Sequence, residues 1–174
     1  MELQLEQTLE ILDRTPATLR VILEGLSADW SQTNGDRDSW SAYDVIGHLI
    51  QGEESNWMPR AEMILRDGES RSFEPFDRFA MFERSKDKSL EQLLDTFALL
   101  RRQNIAKIRA MNLTSAQLEL RGTHPELGVV TLRQLLATWV VHDLNHIGQV
   151  IEAMSKRYSE AVGPWKVFLP ILSR

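Results

Sequence analysis

Trp139-Val140-Val141-His142-Asp143-Leu144-Asn145-His146-Ile147-Gly148-Gln149 places two histidines four residues apart within a run that reads as helix. On a helix such residues sit one above the other on the same face, so both imidazoles can converge on one point. Two ligands of a metal site must do the same. The chain has four histidines in all, and half of them fall in this segment. Upstream, Thr131-Leu132-Arg133-Gln134 has the capping-box pattern, so the helix is expected to open there and to run to about Tyr158.

Three further helical segments surround it. Leu5, Leu9, Leu12, Leu19, Ile22, Leu23 and Leu26 recur mostly at helical spacing, and Thr15-Pro16 predicts a kinked or two-piece first helix. Ser27 to Ser39, with Gly35, reads as a loop carrying Trp30 and leading to Trp40. Ser41 with Asp44 caps a second helix from Ala42 to about Arg66, in which Pro59 predicts a break near Trp57-Met58. Glu69 to Lys88 is a long polar connection whose Phe73, Phe76, Phe79, Met81 and Phe82 favour covering something. Ser89-Leu90-Glu91-Gln92 opens a third helix to about Met111. Asn112 to Gly128 reads as irregular, with a short extended piece at Leu118-Glu119-Leu120-Arg121, and the tail holds at most a short turn. The expected architecture is all-α: a single-domain four-helix bundle over residues 1–174, with long connections and a kinked first or second helix.

A helical wheel selects the inward polar residues. On the fourth helix Leu132, Leu135, Leu136, Trp139, Ile147 and Val150 form the core stripe; His146 falls within it, His142 at its edge and Asp143 near its middle. On the second, Glu53 lies near the centre of a stripe of Val45, Ile46, Leu49, Ile50 and Trp57, with Asn56 close by and His48 on the flank. On the third, Arg101 and Asn104 interrupt Leu90, Leu93, Leu94, Phe97, Ile105 and Ile108. A buried unpaired charge costs several kcal/mol, so Asp143, Glu53 and Arg101 should pair or line a solvated pocket.

His142 and His146 supply two ligands, and His48 is the third candidate. Spacing alone leaves the matter open, because paired histidines often sit on exposed faces and a lone flank histidine is often a hydrogen-bonded core residue. His124, in Thr123-His124-Pro125, reads as a hydrogen-bonding loop residue rather than a fourth ligand. The chain lacks the paired Glu-x-x-His of di-iron bundles, His-Glu-x-x-His, a phosphate-binding glycine loop and a Gly-x-Ser-x-Gly elbow.

Composition narrows the classes further. A net charge of −5 disfavours nucleic acid and anionic membranes as partners. The absence of cysteine removes disulfides, thiolate nucleophiles and cysteine-based metal sites. The start, Met1-Glu2-Leu3-Gln4-Leu5-Glu6, lacks a basic n-region and an apolar h-region, and no segment approaches the roughly 20 apolar residues of a bilayer span. A cytoplasmic location is the expectation.

Trp40-Ser41-Ala42-Tyr43-Asp44-Val45-Ile46-Gly47-His48-Leu49, with Glu53 following, resembles the second-helix signature of the DinB-like (YfiT-like) proteins. Thr123-His124-Pro125-Glu126-Leu127-Gly128, then Thr131-Leu132-Arg133-Gln134-Leu135-Leu136 and His142 to Gln149, resembles their last-helix signature. The resemblance implies a four-helix bundle, often dimeric, holding zinc or nickel through three histidines, which by motif match are His48, His142 and His146. It also implies relatives that include thiol S-transferases using low-molecular-weight thiols and a maleylpyruvate isomerase. One departure is Asn145, where the family often has a further histidine; the wheel points it away from the core.

The functional expectation is a divalent-metal-dependent transferase of the low-molecular-weight thiol type, or a hydrolase, acting on a small molecule. Asp143 and Glu53 would orient a ligand or move a proton. Arg101 would hold an anionic group, Asn56 would contribute a polar contact, and Trp40, Trp57 and Trp139 would form apolar walls. The competing expectation is a non-catalytic bundle, a binding protein in which the metal is structural. The fourth coordination position separates the two: one closed by a side chain such as His124 favours structure, and one open to a pocket favours catalysis.

Overall fold

The helix starts are written locally. In the computed structural model, which describes residues 3–33 and 39–173, the three expected capping boxes close. Ser41 Oγ accepts from Asp44 N at 3.2 Å while Asp44 Oδ2 accepts from Ser41 N at 2.9 Å. Ser89 with Gln92 and Thr131 with Gln134 repeat the exchange. Each box satisfies backbone donors that a helix N-terminus otherwise leaves open.

The elements follow in chain order as α1 (Leu5–Leu23), α2 (Ala28–Ser31), α3 (Ala42–Ser55), α4 (Trp57–Asp67), α5 (Ala80–Ser85), α6 (Leu90–Ala110), α7 (Ser115–Leu118), β1 (Arg121–His124), β2 (Gly128–Thr131) and α8 (Leu132–Lys156). The bundle consists of α1, the broken pair α3–α4, α6 and α8. Among the bundle helices α1 and α3 each pack chiefly on α6 and α8, so the consecutive helices α1 and α3 lie diagonally across the bundle. A diagonal step requires a long connection; of the loop expected there, residues 34–38 lie outside the described residues. Among the described residues no helix is long and apolar enough to cross a membrane.

Several local expectations are corrected. α1 runs through Pro16 as one helix, so of the kinked and two-piece forms expected there the two-piece form is not adopted. The second bundle helix does break, at Asn56 (φ −112°, ψ −72°), just before Trp57-Met58. Pro59 explains the position, because its ring excludes the carbonyl four residues back, that of Ser55, from a regular helix. The extended piece is not Leu118 to Arg121 but Arg121–His124, paired antiparallel with Gly128–Thr131, while Leu118 ends a one-turn helix capped by Thr114. Gly128 (φ +74°) makes the hairpin turn, and Gly122 lets the hairpin lie on α4: a Cβ there would stand 2.7 Å from Ile64 Cγ1. The connection after α4 buries Phe73 and Met81, places Phe76 half-buried beside the histidines, and leaves Phe79 and Phe82 exposed.

The core divides into two apolar halves. One gathers Leu9, Leu12, Trp57, Ile105, Leu136 and Trp139; the other gathers Leu19, Val45, Leu49, Phe97 and Val150. On every bundle helix the residue between the halves is polar or a proline: Pro16 on α1, Glu53 on α3, Arg101 on α6 and Asp143 on α8. A polar belt therefore crosses the bundle at one level.

Candidate metal centre and its cavity

The histidines meet at the edge of that belt. His48 Nε2 lies 3.0 Å from His142 Nε2, and His146 Nε2 lies 3.1 Å from His142 Nε2. Among the described residues they are a group whose donor atoms all fall within 4.8 Å of one another. α8 supplies two of them one turn apart, and the neighbouring helix α3 supplies the third. Rings fix their attitudes: Trp40 stands against His48 at 4.9 Å and parallel to His146, and Trp57 meets His142 edge-on at 5.0 Å.

The donor set fits a divalent ion. His146 Nδ1 donates to Gln149 Oε1 at 2.7 Å, which fixes the proton on Nδ1 and leaves the Nε2 lone pair facing the other two rings. His142 Nε2 cannot make a linear hydrogen bond with both neighbours, so at least one of the two short contacts is not a hydrogen bond, whereas a cation between the nitrogens satisfies both. Tetrahedral coordination with metal–nitrogen bonds of about 2.0–2.1 Å spaces donors about 3.3 Å apart, close to the separations here. Burial, followed by mutual repulsion among the histidines, lowers the pKa of His48 to about 3; burial and then His142 lower that of His146 to about 4. Both rings are thus neutral near pH 7, the form that ligates.

Behind His142 stands the belt. Asp143 Oδ1 is 3.9 Å from His142 Nδ1, too far for a hydrogen bond but well within electrostatic reach. Arg101 grips Asp143 with Nη1 to Oδ2 at 2.5 Å and Nη2 to Oδ1 at 3.1 Å. It also gives Nε and Nη2 to Glu53 Oε1 at 3.1 and 2.8 Å, and Nη1 to the Leu12 carbonyl at 2.7 Å. Glu53 further accepts from Trp139 Nε1 at 3.2 Å and from Asn104 Nδ2 at 2.9 Å. Burial works against the charge on Arg101, yet the two carboxylates outweigh it and its pKa is raised. Burial likewise pulls Asp143 upward, and its contacts with His142 and Arg101 outweigh that, leaving its carboxyl below the usual range.

The sequence-derived roles sort on burial. Arg101 is 1% exposed and saturated by protein partners, so it holds no substrate anion. Glu53 and Asp143 are equally enclosed and do not touch the cavity; they position other groups and do not exchange protons with a substrate. Trp57 and Trp139, stacked at 5.6 Å with 11° between planes, belong to the core and do not form its wall. Trp40 and Asn56 do line the cavity, an open cleft of about 920 Å³ with the three histidines on its floor. His124 also lines it but lies outside the histidine cluster; its Nδ1 accepts from Glu126 N and Leu127 N, the loop role expected of it. Sequence reasoning missed Arg60 and Gln149 on the same lining. Gln149 is visible as the residue three past His146, whereas Arg60 lies beyond the helix break, where spacing does not place it.

The comparisons agree with this architecture. The family model of the DinB superfamily matches residues 11–150. Among solved structures, YfiT from Bacillus subtilis, described as a probable metal-dependent hydrolase with an unusual four-helix bundle topology, superposes with a TM-score of 0.76. It is 25% identical, and the likeness covers 90% of each chain. No curated protein sequence matches the chain.

Proposed function

Because the chain belongs to the DinB superfamily, matched over residues 11–150, we propose that His48, His142 and His146 bind a divalent ion, zinc or nickel, and that the cleft above them is a metal-dependent active site for a small molecule. The reaction is hydrolysis, or transfer in which a low-molecular-weight thiol is the co-substrate. The observation that carries the reading is the convergence of three imidazole nitrogens, one with its tautomer fixed by Gln149, on the floor of an open cleft. A structural site closes its coordination sphere with side chains, whereas a catalytic one keeps a position open. His124 lies outside the histidine cluster, which favours the open arrangement.

Bound there, such an ion supplies Lewis acidity, which lowers the pKa of water or a thiol and polarises a carbonyl. The rest is done by the chain. Gln149 presents His146, and Asp143, held in place by Arg101, biases the His142 imidazole toward carrying its proton on Nδ1. Trp40 and Phe76 shield the histidines from one side.

Metal analysis of protein purified without a nickel column tests the reading. The wild type should carry a stoichiometric divalent ion, and His142→Ala should bind it at least about a hundredfold more weakly, a direct ligand mattering more than its outer-shell support. Equal affinity in His142→Ala refutes the site. Ester and amide hydrolysis and thiol-transfer assays, run with and without the ion, then separate the two reactions.

A further inference from the structure

The wall of the cleft formed by the start of α4 and the β1–β2 turn has hydrogen-bonding capacity that the protein itself does not use. Asn56 and Arg60 are four residues apart, with Arg60 N donating to Asn56 O at 3.1 Å, so their side chains share a face, and both line the cleft. Asn56 is 8% exposed, and its Oδ1 is buried with no partner.

Arg60 is half-buried and makes no ion pair among the described residues. Its one side-chain hydrogen bond is Nη2 to the Glu74 carbonyl at 3.3 Å, and its face rests 5.1 Å from the centre of the Phe73 ring. Most of its N–H donors are therefore free. His124 stands near it: burial first, then the Arg60 charge, lowers the His124 pKa. Because His124 Nδ1 accepts two backbone N–H bonds, its proton resides on Nε2, a second donor on this wall. The negative groups nearby are less committed to the wall. Glu126 attracts Arg60 but is exposed, and Asp77 accepts from Phe79 N at 3.0 Å.

We infer that this wall is an anion subsite: Arg60, with His124 beside it, binds a carboxylate or phosphate of the substrate. The inference rests on the cleft being the substrate site proposed above. It assigns the substrate class as a small organic anion whose apolar body lies against Trp40 and Phe76. Arg60 takes the role that the sequence had suggested for Arg101.

The test is calorimetric titration of benzoate, phenyl phosphate and neutral benzamide into the full chain, zinc-loaded and again after chelation. The wild type should prefer an anion to benzamide in both forms, and the tighter of the two anions identifies the oxyanion. Arg60→Gln should weaken that anion roughly ten- to a hundredfold, as loss of a charged hydrogen bond does. Benzamide binding and zinc affinity should not change, which shows that the fold and the histidines are intact. Asn56→Asp, which adds a negative charge to the wall, should weaken the anion as well. Wild-type affinity in Arg60→Gln, or no preference for anion over benzamide in the wild type, overturns the subsite. A chain that binds no zinc yet keeps an Arg60-dependent anion preference refutes the metal reading and leaves the subsite standing.

Discussion

Replacing Arg101 with methionine tests whether the belt is held by its central cation. The guanidinium is 1% exposed on its side chain and both carboxylates are 0% exposed. Removing it leaves two buried carboxylates and the Leu12 carbonyl without their main partner. Removing one partner of a buried pair costs about 3–5 kcal/mol, and here two anions are orphaned together, so the upper end applies. For a chain of this size, about 2–4 °C per kcal/mol converts 5 kcal/mol into a fall of roughly 10–20 °C in Tm. The pH dependence is the sharper readout. Without Arg101, burial, the largest influence on Asp143, raises its folded-state pKa above the unfolded value of about 4. Stabilisation from a raised carboxyl is present below the unfolded pKa and lost as pH rises through the folded one, so the variant should recover toward wild type on going from about pH 7 to about pH 5. The wild type should show no such recovery, because its Asp143 carboxyl is lowered, not raised. Urea unfolding of both proteins in chelator, across that range, measures it. A loss below about 1 kcal/mol, or a loss independent of pH, would show that the belt is not organised by this cation.

Acidification of the metal-free protein gives a second expectation. His48 and His146 have folded pKa values of about 3 and about 4 against an unfolded value near 6.5. The unfolded chain takes up protons first, so stability is full above about pH 6.5 and declines as pH falls toward about 4. The double variant His48→Gln/His146→Gln should flatten this slope in chelator-treated unfolding curves; an unchanged slope refutes the assignment. Gly122→Ala should cost about 1–3 kcal/mol, because the new Cβ would stand 2.7 Å from Ile64 Cγ1 and 3.0 Å from Phe73 Cζ. A thermal melt indistinguishable from wild type would mean that the hairpin lifts off α4 at no cost.

What was legible in the sequence was local or periodic. Ser41–Asp44, Ser89–Gln92 and Thr131–Gln134 declare helix starts within four residues, and His142 and His146 declare a shared face by spacing alone. The wheel also turned Glu53, Arg101 and Asp143 inward, because angle about a helix axis follows from residue number. Depth along that axis does not. Nothing in the sequence distinguishes an inward residue at the wet end of the bundle from one sealed between two apolar halves, which is why angle alone suggests a substrate clamp at Arg101. Arg60 failed in the opposite sense: it follows Pro59, beyond the helix break, and the break at Asn56 sets the direction in which it faces. The short strand was displaced because its pairing partner, Gly128–Thr131, lies across a turn, and pairing, not propensity, defines a strand.

The continuity of α1 through Pro16 and the buried position of Arg101 have one explanation. Proline has no N–H to give the carbonyl four residues back, so Pro16 leaves the Leu12 carbonyl without its helical donor. In the interior an unpaired carbonyl is costly. Arg101 Nη1 supplies the missing donor from α6 at 2.7 Å, so the helix need not break. The same nitrogen also bonds Asp143 Oδ2, and Asp143 Oδ1 faces His142 Nδ1 at 3.9 Å. A proline on α1 is thus linked through one guanidinium to the attitude of a histidine on α8. Buried ion pairs often give less stability than apolar residues of the same volume, so stability alone is a poor reason for a belt that splits the core in two. Geometry is a better one. An apolar belt would leave His142 Nδ1 facing hydrocarbon, whereas this one holds a carboxylate, itself immobilised at both oxygens, on the far side of the ring from the point where the three Nε2 atoms meet.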